Sequence, residues 1–223
     1  MKPRICATIM ARDVSGMSRK ADEALELGAD LVEFRADFLD GRELKRLDEL
    51  IPSYANISVV TLRDSDEDGR FVGHIKEKLQ VLKGASVSGA EYIDLEFKHV
   101  RFSKDLRGGK AKLILSWHDR ERTPPTHYLR RKAASMLKAS DLAKVVSKAN
   151  DIEDSLRILE LYSAFPSGRL LAFAMGKHGV LSRVLSPLLG SPFVYACLPG
   201  EPAAEGQISV HSLRCLYDRM VVK

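Results

Sequence analysis

The chain has 223 residues, of which 45% are hydrophobic and 29% charged, a length and composition typical of one large globular domain. It contains neither a long apolar run nor the apolar leader of a secretory signal, so we expect a cytoplasmic protein with no membrane partner. The net charge of +5 leaves a nucleic-acid-binding function open, and three widely spaced cysteines, Cys6, Cys197 and Cys215, indicate neither a disulfide framework nor a zinc site.

Strand-like and helix-like segments alternate along the first half of the chain. Apolar runs rich in β-branched residues predict the strands, and apolar residues at helical spacing predict the helices. Ser18 is expected to cap the first helix, and Gly28 is expected to end it. The predicted strands are residues 3–10, 31–35, 57–63 and 92–96, and the predicted helices are residues 18–27, 42–50 and 72–82.

The same alternation continues through the second half of the chain, after a stretch from 98 to 106 that has no clear pattern. A polar segment and a further predicted helix separate the fifth strand from the sixth. The predicted strands of this half are residues 113–118, 142–146, 170–175 and 193–197, and the helices that follow the last three are residues 151–161, 180–189 and 210–220.

Eight successive strand–helix units of similar length predict parallel strands that are joined by helical crossovers. We therefore expect residues 1–223 to form one (β/α)8 barrel, the TIM-barrel fold of the α/β class. A doubly wound open sheet is the alternative architecture. It is disfavoured because Arg-Asp-Val-Ser-Gly at residues 12–16 follows the first strand, in place of the glycine-rich fingerprint of a dinucleotide-binding sheet.

Two residues on successive predicted strands suggest amine chemistry. His118 lies at the end of the fifth strand, and Lys144 lies inside the sixth. A strand of a barrel is covered on both sides, and burial of a lysine favours its neutral amine form, which is a usable nucleophile. Taken alone, however, His118 is more typical of a hydrogen-bonded structural histidine, and Lys144 is evenly balanced between a functional and a structural role.

Charged residues lie near the carboxyl ends of other predicted strands, where the active sites of barrels are built. Glu33 and Arg35 share one face of the second strand, Asp94 and Glu96 share one face of the fourth, and Arg63 ends the third. These side chains can bind a substrate, or they can form salt bridges that connect strand ends. The other five histidines have no metal-ligand spacing, and the basic residues between 120 and 132 lack the interleaved aromatic residues of a nucleic-acid-binding site.

Short motifs along nearly the whole chain resemble those of the type I 3-dehydroquinate dehydratase family, in the order in which that family carries them. Each motif is weak by itself, but the ordered set is specific. The motifs are Val32-Glu33-Phe34-Arg35-Ala36-Asp37, Thr61-Leu62-Arg63, Tyr92-Ile93-Asp94-Leu95-Glu96, Ser116-Trp117-His118-Asp119 with Thr123-Pro124, Asp141-Leu142-Ala143-Lys144, Ala174-Met175-Gly176 with Gly179 and Ser182-Arg183, and Gly206-Gln207-Ile208.

The resemblance implies a specific reaction. Lys144 would form an imine with the ketone of 3-dehydroquinate, His118 would act as general acid and base, and Glu67 would orient the histidine. The reaction is the syn elimination of water that gives 3-dehydroshikimate, in the shikimate pathway of aromatic amino acid biosynthesis, and it requires no cofactor and no metal. Glu67 stands in an acidic loop, residues 64–69, which can also be only a solvated turn.

The resemblance also implies a substrate-binding set. Arg183 is expected to bind the substrate carboxylate, because the planar guanidinium matches that group. One departure lies in the loop before Gln207, where Ala203 stands at a place that usually carries a serine or threonine in the family. The Pro, Gly and Ala content of this loop is typical of a lid that closes over substrate. The other residues assigned to the substrate are Glu33, Arg35, Arg63, Gln207, Met175 and Tyr195.

Two other functions fit parts of the sequence. A class I aldolase can also place an imine-forming lysine in a (β/α) barrel, but it cleaves a carbon–carbon bond. A basic nucleic-acid-binding protein would account for the positive net charge. With the resemblance taken into account, we expect a small-molecule substrate, no nucleic-acid partner, and a homodimer.

Overall fold

The computed structural model describes residues 2–220 and contains eight parallel strands in a single sheet. The strands are β1 (Ile5–Ile9), β2 (Leu31–Arg35), β3 (Ser58–Thr61), β4 (Tyr92–Glu96), β5 (Lys112–Asp119), β6 (Leu142–Lys148), β7 (Leu170–Met175) and β8 (Val194–Cys197). Along the sheet the order is β7-β6-β5-β4-β3-β2-β1-β8, so the last strand of the chain pairs with the first. The sheet forms a nearly closed barrel, which confirms the predicted (β/α)8 fold over the open-sheet alternative.

Helices follow the strands and cover the outside of the barrel. They are α1 (Val14–Glu26), α2 (Gly41–Leu44), α3 (Leu47–Leu50), α4 (Ile75–Ser88), α5 (Thr126–Leu137), α6 (Ile152–Leu159), α7 (Val180–Leu185) and α8 (Val210–Met220). A 3-10 helix, Phe97–Asp105, takes the place of an α-helix after β4. Within residues 2–220, no helix combines the length and the apolar character that crossing a lipid bilayer requires.

Successive residues of each strand face two different cores. Ile5 and Ala7 of β1 pack in the core between sheet and helices, whereas Cys6 belongs to the apolar core inside the barrel. On β6, Leu142 belongs to the inner core, and Lys144 occupies the next position of the same face. The inward positions therefore change from apolar to polar toward the carboxyl ends of the strands, and the polar side chains collect at one mouth of the barrel.

Side-chain packing joins the two strands at the ends of the sheet. Among the described residues, no ladder of backbone hydrogen bonds links β7 to β8. Inside the barrel, the rings of Phe173 on β7 and Tyr195 on β8 have centroids 6.0 Å apart. Outside, the hydroxyl of Tyr217 on α8 donates a hydrogen bond of 3.0 Å to the carbonyl oxygen of Val184 on α7. Aromatic contacts and helix packing thus cover the seam.

The first helix begins earlier than its sequence pattern predicts. It starts at Val14 rather than at residue 18, because the Asp13 carboxylate accepts a hydrogen bond of 2.6 Å from the backbone N–H of Gly16 and caps the helix. The predicted cap, Ser18, lies inside the helix, where its hydroxyl contacts that of Tyr54 at 3.0 Å. A better-placed Asx cap therefore replaces the predicted serine cap.

Two further helices in the first half of the chain differ from their predicted bounds. The helix predicted over residues 42–50 is broken into α2 and α3. The helix predicted over residues 72–82 begins at Ile75 and continues to Ser88, after which Gly89 ends it with a φ of 110°. Both differences lie on the outside of the barrel and leave the strand ends in place.

We expect Tyr217→Phe to lower the free energy of unfolding by about 1 kcal/mol, because the carbonyl oxygen of Val184 loses its donor while the buried ring keeps its packing. Urea unfolding followed by circular dichroism measures the change. Tyr128→Phe is the matched control, since Tyr128 is 36% exposed and contacts Trp117 through its ring. Equal losses in the two variants would contradict a role of the Tyr217 hydroxyl.

Candidate active site

The structure brings all of the site residues assigned from the sequence to one cavity at the carboxyl-terminal mouth of the barrel. Lys144 and His118 line this cavity together with Glu67, which lies in the loop after β3. The same cavity is lined by the residues assigned to substrate: Glu33, Arg35, Arg63, Met175, Arg183, Tyr195, Ala203 and Gln207.

Lys144 is buried in this cavity among acidic groups. Its Nζ atom lies 3.2 Å from Asp94 Oδ2 and 3.8 Å from Glu33 Oε1. The centroid of the Tyr195 ring is 4.3 Å from the same nitrogen. Two carboxylates and an aromatic face stabilise a positive charge here, on an ammonium or on an iminium built from that nitrogen.

Asp94 links Lys144 to a second buried cation. One Asp94 oxygen, Oδ1, accepts hydrogen bonds from Arg63 Nη2 at 2.9 Å and from Ser116 Oγ at 2.6 Å, while the other oxygen faces Lys144. Arg63 Nη1 also donates to Ser116 Oγ at 2.8 Å. Burial by itself would raise the pKa of Asp94, but the charges of Arg63 and Lys144 hold that pKa well below its usual range. Asp94 is therefore a fixed anion between two cations.

Hydroxyl groups fix the second carboxylate, Glu33. Thr61 Oγ1 donates a hydrogen bond of 2.8 Å to Oε1, and Thr8 Oγ1 donates one of 3.1 Å to Oε2. Thr8 Oγ1 also accepts a hydrogen bond of 3.2 Å from Gln207 Nε2. A chain of polar contacts thus connects the amide of Gln207 to a carboxylate beside Lys144.

The Glu67 carboxylate contacts the imidazole of His118. Its Oε2 atom lies 3.3 Å from His118 Nδ1, at the long end of the hydrogen-bond range, as is common for active-site contacts that tighten when substrate binds. Burial by itself would raise the pKa of Glu67, but the His118 hydrogen bond and the charge of Arg63 lower that pKa. An ionised carboxylate only accepts hydrogen bonds, so Nδ1 carries the proton and Nε2 keeps its lone pair.

The surroundings of His118 favour a neutral imidazole. Burial has the largest influence and, with the positive charges of Arg63 and Lys144, lowers the pKa of His118 to about 4. The hydrogen bond to Glu67 acts in the opposite direction without offsetting burial. At neutral pH the ring is therefore uncharged and able to accept a proton at Nε2.

Arg35 is held by a buried carboxylate. Its Nε and Nη2 atoms donate to the two oxygens of Asp37 at 2.9 and 2.8 Å. Asp37 also accepts hydrogen bonds from the backbone N–H groups of Arg63 and Arg70, at 3.4 and 3.2 Å. One carboxylate thus fixes both a cavity arginine and the two ends of the loop after β3.

Arg183 is a buried cation without an acidic partner among residues 2–220. Its exposure is 2%, and its Nε atom makes no hydrogen bond. Burial lowers the pKa of Arg183 to about 10, and the guanidinium carbon lies 4.6 Å from the centroid of the Phe173 ring. A buried charge is costly unless it is paired, so the cavity offers an anion-binding position at this guanidinium.

Residues 198–208 form the loop after β8, the segment predicted to be a lid, and three of them line the cavity together with Arg183: Ala203, Ala204 and Gln207. At Ala203 the lid presents a backbone N–H, which donates a hydrogen bond of 2.8 Å to Gln207 Oε1. Gly206 has a φ of 78°, and a Cβ atom there would lie 2.4 Å from the carbonyl oxygen of Gly176. Only glycine permits this close approach, which anchors the lid to the turn after β7.

Several cavity residues have no role assigned from the sequence. Asp94 contacts two of the lining residues, Arg63 and Lys144; its sequence position allows either a substrate or a salt-bridge role, and its contacts follow only from the closed barrel. Arg120, the first of the basic residues between 120 and 132, pairs with Asp68 at 2.5 Å and joins the loops after β3 and β5. Thr8 lies one inward position beyond Cys6 on β1, an alternation that the sequence does contain. The other unassigned lining residues are Thr61, Val146, Phe173 and Ala204.

A separate group of possible metal ligands lies beside the cavity. Ligand atoms of Asp64, Glu96 and His99 lie within 4.8 Å of one another. The ammonium of Lys78, however, lies 2.6 Å from Asp64 Oδ1 and 2.7 Å from Glu96 Oε2. These carboxylates therefore surround a cation that belongs to the chain itself.

Proteins of one family are similar to this chain over nearly its whole length. The type I 3-dehydroquinase family profile matches residues 5–222. The 3-dehydroquinate dehydratase of Methanococcus maripaludis is 35% identical over 218 residues, which cover 94% of this chain and 96% of that protein. The one from Methanocaldococcus jannaschii is 32% identical over 226 residues, with coverages of 98% and 100%.

A solved structure has the same fold. The crystal structure of 3-dehydroquinate dehydratase from Geobacillus kaustophilus superposes with a TM-score of 0.87 and covers 99% of this chain and 91% of that chain. The two sequences are 24% identical, so this similarity concerns the barrel itself. This similarity supports the barrel as the scaffold of the site.

We expect the His118 imidazole to titrate near pH 4 rather than near 6.5, because burial and two neighbouring cations oppose its charge. Glu67→Gln removes a contact that raises the pKa, so this variant is expected to titrate at still lower pH. An NMR titration of the imidazole signals measures both midpoints. Glu121→Gln, which removes an exposed carboxylate after β5, is the control and should leave the midpoint unchanged. A midpoint at or above 6.5, or an upward shift in Glu67→Gln, would contradict the assigned environment.

Proposed function

The chain belongs to the type I 3-dehydroquinase family, and we propose that it converts 3-dehydroquinate to 3-dehydroshikimate, a step of the shikimate pathway. Relatives named 3-dehydroquinate dehydratase, which align over nearly the whole chain, support this activity. One observation carries the proposal: a single cavity holds the buried amine of Lys144 and the buried, unpaired guanidinium of Arg183. The first group suits the ketone of this substrate, and the second suits its carboxylate.

Lys144 forms the covalent intermediate in the proposed mechanism. Its nitrogen attacks the ketone carbon, and the resulting carbinolamine loses water to give a protonated imine. Asp94 and Glu33, at 3.2 and 3.8 Å from this nitrogen, stabilise the positive charge of the imine. The same carboxylates that face the lysine in the free protein thus face the cation of the intermediate.

His118 moves the proton in the proposed mechanism. The protonated imine withdraws electrons from the neighbouring carbon, and the neutral imidazole removes a proton there. The electron pair left on carbon then expels the β-hydroxyl group, which receives the same proton from His118 and leaves as water. Removal and return by one group on one face of the ring give a syn elimination.

Hydrolysis of the product imine completes the cycle. One water adds to the imine carbon, and the conjugated enone leaves as the ketone product while Lys144 regains its amine. The water consumed here equals the water released on imine formation, so the net change is the loss of one water from substrate. Electrons stay within the substrate throughout, and the balance requires no cofactor.

The other cavity residues orient the substrate ring. Arg183 binds the carboxylate, and Gln207 and Glu33 offer polar groups for the ring hydroxyls. Two of the Arg63 nitrogens are already used by Asp94 and Ser116, so we assign Arg63 mainly to holding Asp94 in place. Arg35 completes the polar lining, and Met175 and Tyr195 supply apolar walls. The backbone N–H of Ala203 binds the side-chain oxygen of Gln207 and so helps to orient that amide.

On the basis of the family resemblance, we propose that residues 1–223 act as one catalytic domain and that two chains form a homodimer. The lysine, the histidine and the anion-binding arginine of the cavity all come from this one chain. The chemistry of the site therefore does not depend on a partner residue for these three roles.

We expect sodium borohydride, added together with 3-dehydroquinate, to attach one substrate molecule to Lys144, because hydride converts the imine to a stable amine. Mass spectrometry of the intact protein and of its peptides locates the added mass. His118→Ala should be trapped to the same extent but turn over about 10²–10⁴-fold more slowly, since the histidine acts after imine formation.

Two controls define the specificity of the trapping. Dihydroxyacetone phosphate, a substrate of imine-forming aldolases, should leave Lys144 unmodified under the same conditions. Lys148, an exposed lysine at the end of the same strand, should stay unmodified with 3-dehydroquinate. An unmodified Lys144 during turnover would refute the imine, and near-normal turnover by His118→Ala would refute the proton-transfer role of the histidine.

A further inference from the structure

A buried lysine outside the cavity pairs with two carboxylates beneath the loop that carries Glu67. The side chain of Lys78, on α4, is 1% exposed. Its Nζ atom lies 2.7 Å from both oxygens of Glu96 and 2.6 Å from Asp64 Oδ1. Loss of one member of such a group leaves the other charges buried and unpaired, so each member fixes the positions of its partners.

Both the backbone and the side chain of Asp64, the first residue of the loop, are held in place. Glu96 Oε1 accepts a hydrogen bond of 2.9 Å from the backbone N–H of Asp64. The Asp64 carboxylate also contacts Lys98 and His99, each at 2.8 Å. Burial by itself would raise the pKa of Asp64, but Lys78, Lys98 and His99 hold that pKa well below its usual range. Asp64 is thus a charged anchor whose main chain and side chain are both held.

The position of Glu67 follows from this anchor. The backbone N–H of Glu67 donates a hydrogen bond of 3.0 Å to the carbonyl oxygen of Asp64. The loop then returns at Gly69, where a Cβ atom would lie 2.0 Å from the carbonyl oxygen of Arg63. A turn closed this tightly has little freedom of its own, so a shift of Asp64 moves Glu67 relative to His118.

The charge of Lys78 also affects the position of Arg63, which lies near the carboxylates of both Glu96 and Glu67. Arg63 Nη1 lies 3.6 Å from Glu96 Oε1 and 3.8 Å from Glu67 Oε2. Lys78 neutralises Glu96, which leaves Arg63 with Asp94 and Ser116. Without the lysine charge, Glu96 would draw the guanidinium toward itself and away from those partners.

We propose that Lys78 is a positioning residue for the catalytic histidine: it neutralises Glu96, anchors Asp64, and so keeps the Glu67 carboxylate at His118. Lys78 itself touches neither the cavity nor a reacting atom. The expected effect on turnover rests on the proposed function, whereas the effect on the His118 titration does not require a substrate. The two effects can therefore be measured separately.

Lys78→Met tests the proposal, because methionine keeps most of the side-chain volume and removes the charge. The His118 midpoint, measured by NMR, should move to lower pH, in the direction of Glu67→Gln, as the imidazole loses its carboxylate. Loss of the distant positive charge through space alone would move the midpoint upward, so the sign of the shift separates the two causes. Added to Glu67→Gln, the Lys78→Met change should produce no further downward shift.

Turnover of 3-dehydroquinate gives the second measurement. The kcat of Lys78→Met should fall by about 10- to 100-fold, because a small displacement of the base slows proton transfer, while KM stays close to its original value. Borohydride trapping at Lys144 should persist, since the contacts of that lysine with Asp94 and Glu33 are retained. Lys83→Met removes an exposed lysine from the same helix and should change neither kcat nor the His118 midpoint.

An unchanged or raised His118 midpoint in folded Lys78→Met, or an unchanged kcat, would overturn the proposal and reduce Lys78 to a stabilising residue. If this variant does not fold, Lys78→Met with Glu96→Gln removes both charges of the buried pair and should show the same downward shift. If the unmodified protein does not act on 3-dehydroquinate, the proposed function fails, but the midpoint shift still decides the role of Lys78.

Discussion

The Asp94 carboxylate sits between two buried cations, Lys144 on one oxygen and Arg63 on the other, and the site depends on this charge balance. Each group is costly to bury alone, and their short contacts make burial of all three possible. The arrangement also sets the chemistry of their neighbour, because the same two cations help to keep the pKa of His118 low. A neutral imidazole and a carboxylate-lined amine therefore result from one electrostatic arrangement.

Much of this arrangement follows from features that the sequence displays. Apolar runs predict all eight strands, and the alternation of side chains along each strand predicts which residues turn inward. A lysine in an apolar strand and a histidine at the end of the preceding one suggest amine chemistry, but alone they leave a structural role open. The ordered motifs identify the family, and with it the residues that the structure brings to a single cavity.

Other features depend on contacts between distant parts of the chain. Asp13 rather than Ser18 caps α1, because the choice depends on where the chain leaves β1. The ion pairs of Lys78 join α4 to the end of β4, and nothing in the local pattern of that helix distinguishes this lysine from the exposed Lys83. Likewise, the lack of an acidic partner for Arg183 in the described residues is a property of the assembled barrel. Such pairings are set by tertiary geometry, which composition and periodicity do not encode.

The central claim is that the amine of Lys144 carries the reaction. Ultraviolet absorbance of the conjugated enone follows product formation directly, with the unmodified protein, Lys144→Met, and Lys148→Met as an exposed control on the same strand. We expect enone formation from 3-dehydroquinate by the unmodified protein and the control, and none above the uncatalysed rate by Lys144→Met. Turnover by Lys144→Met at a rate comparable to the unmodified protein would contradict the claim.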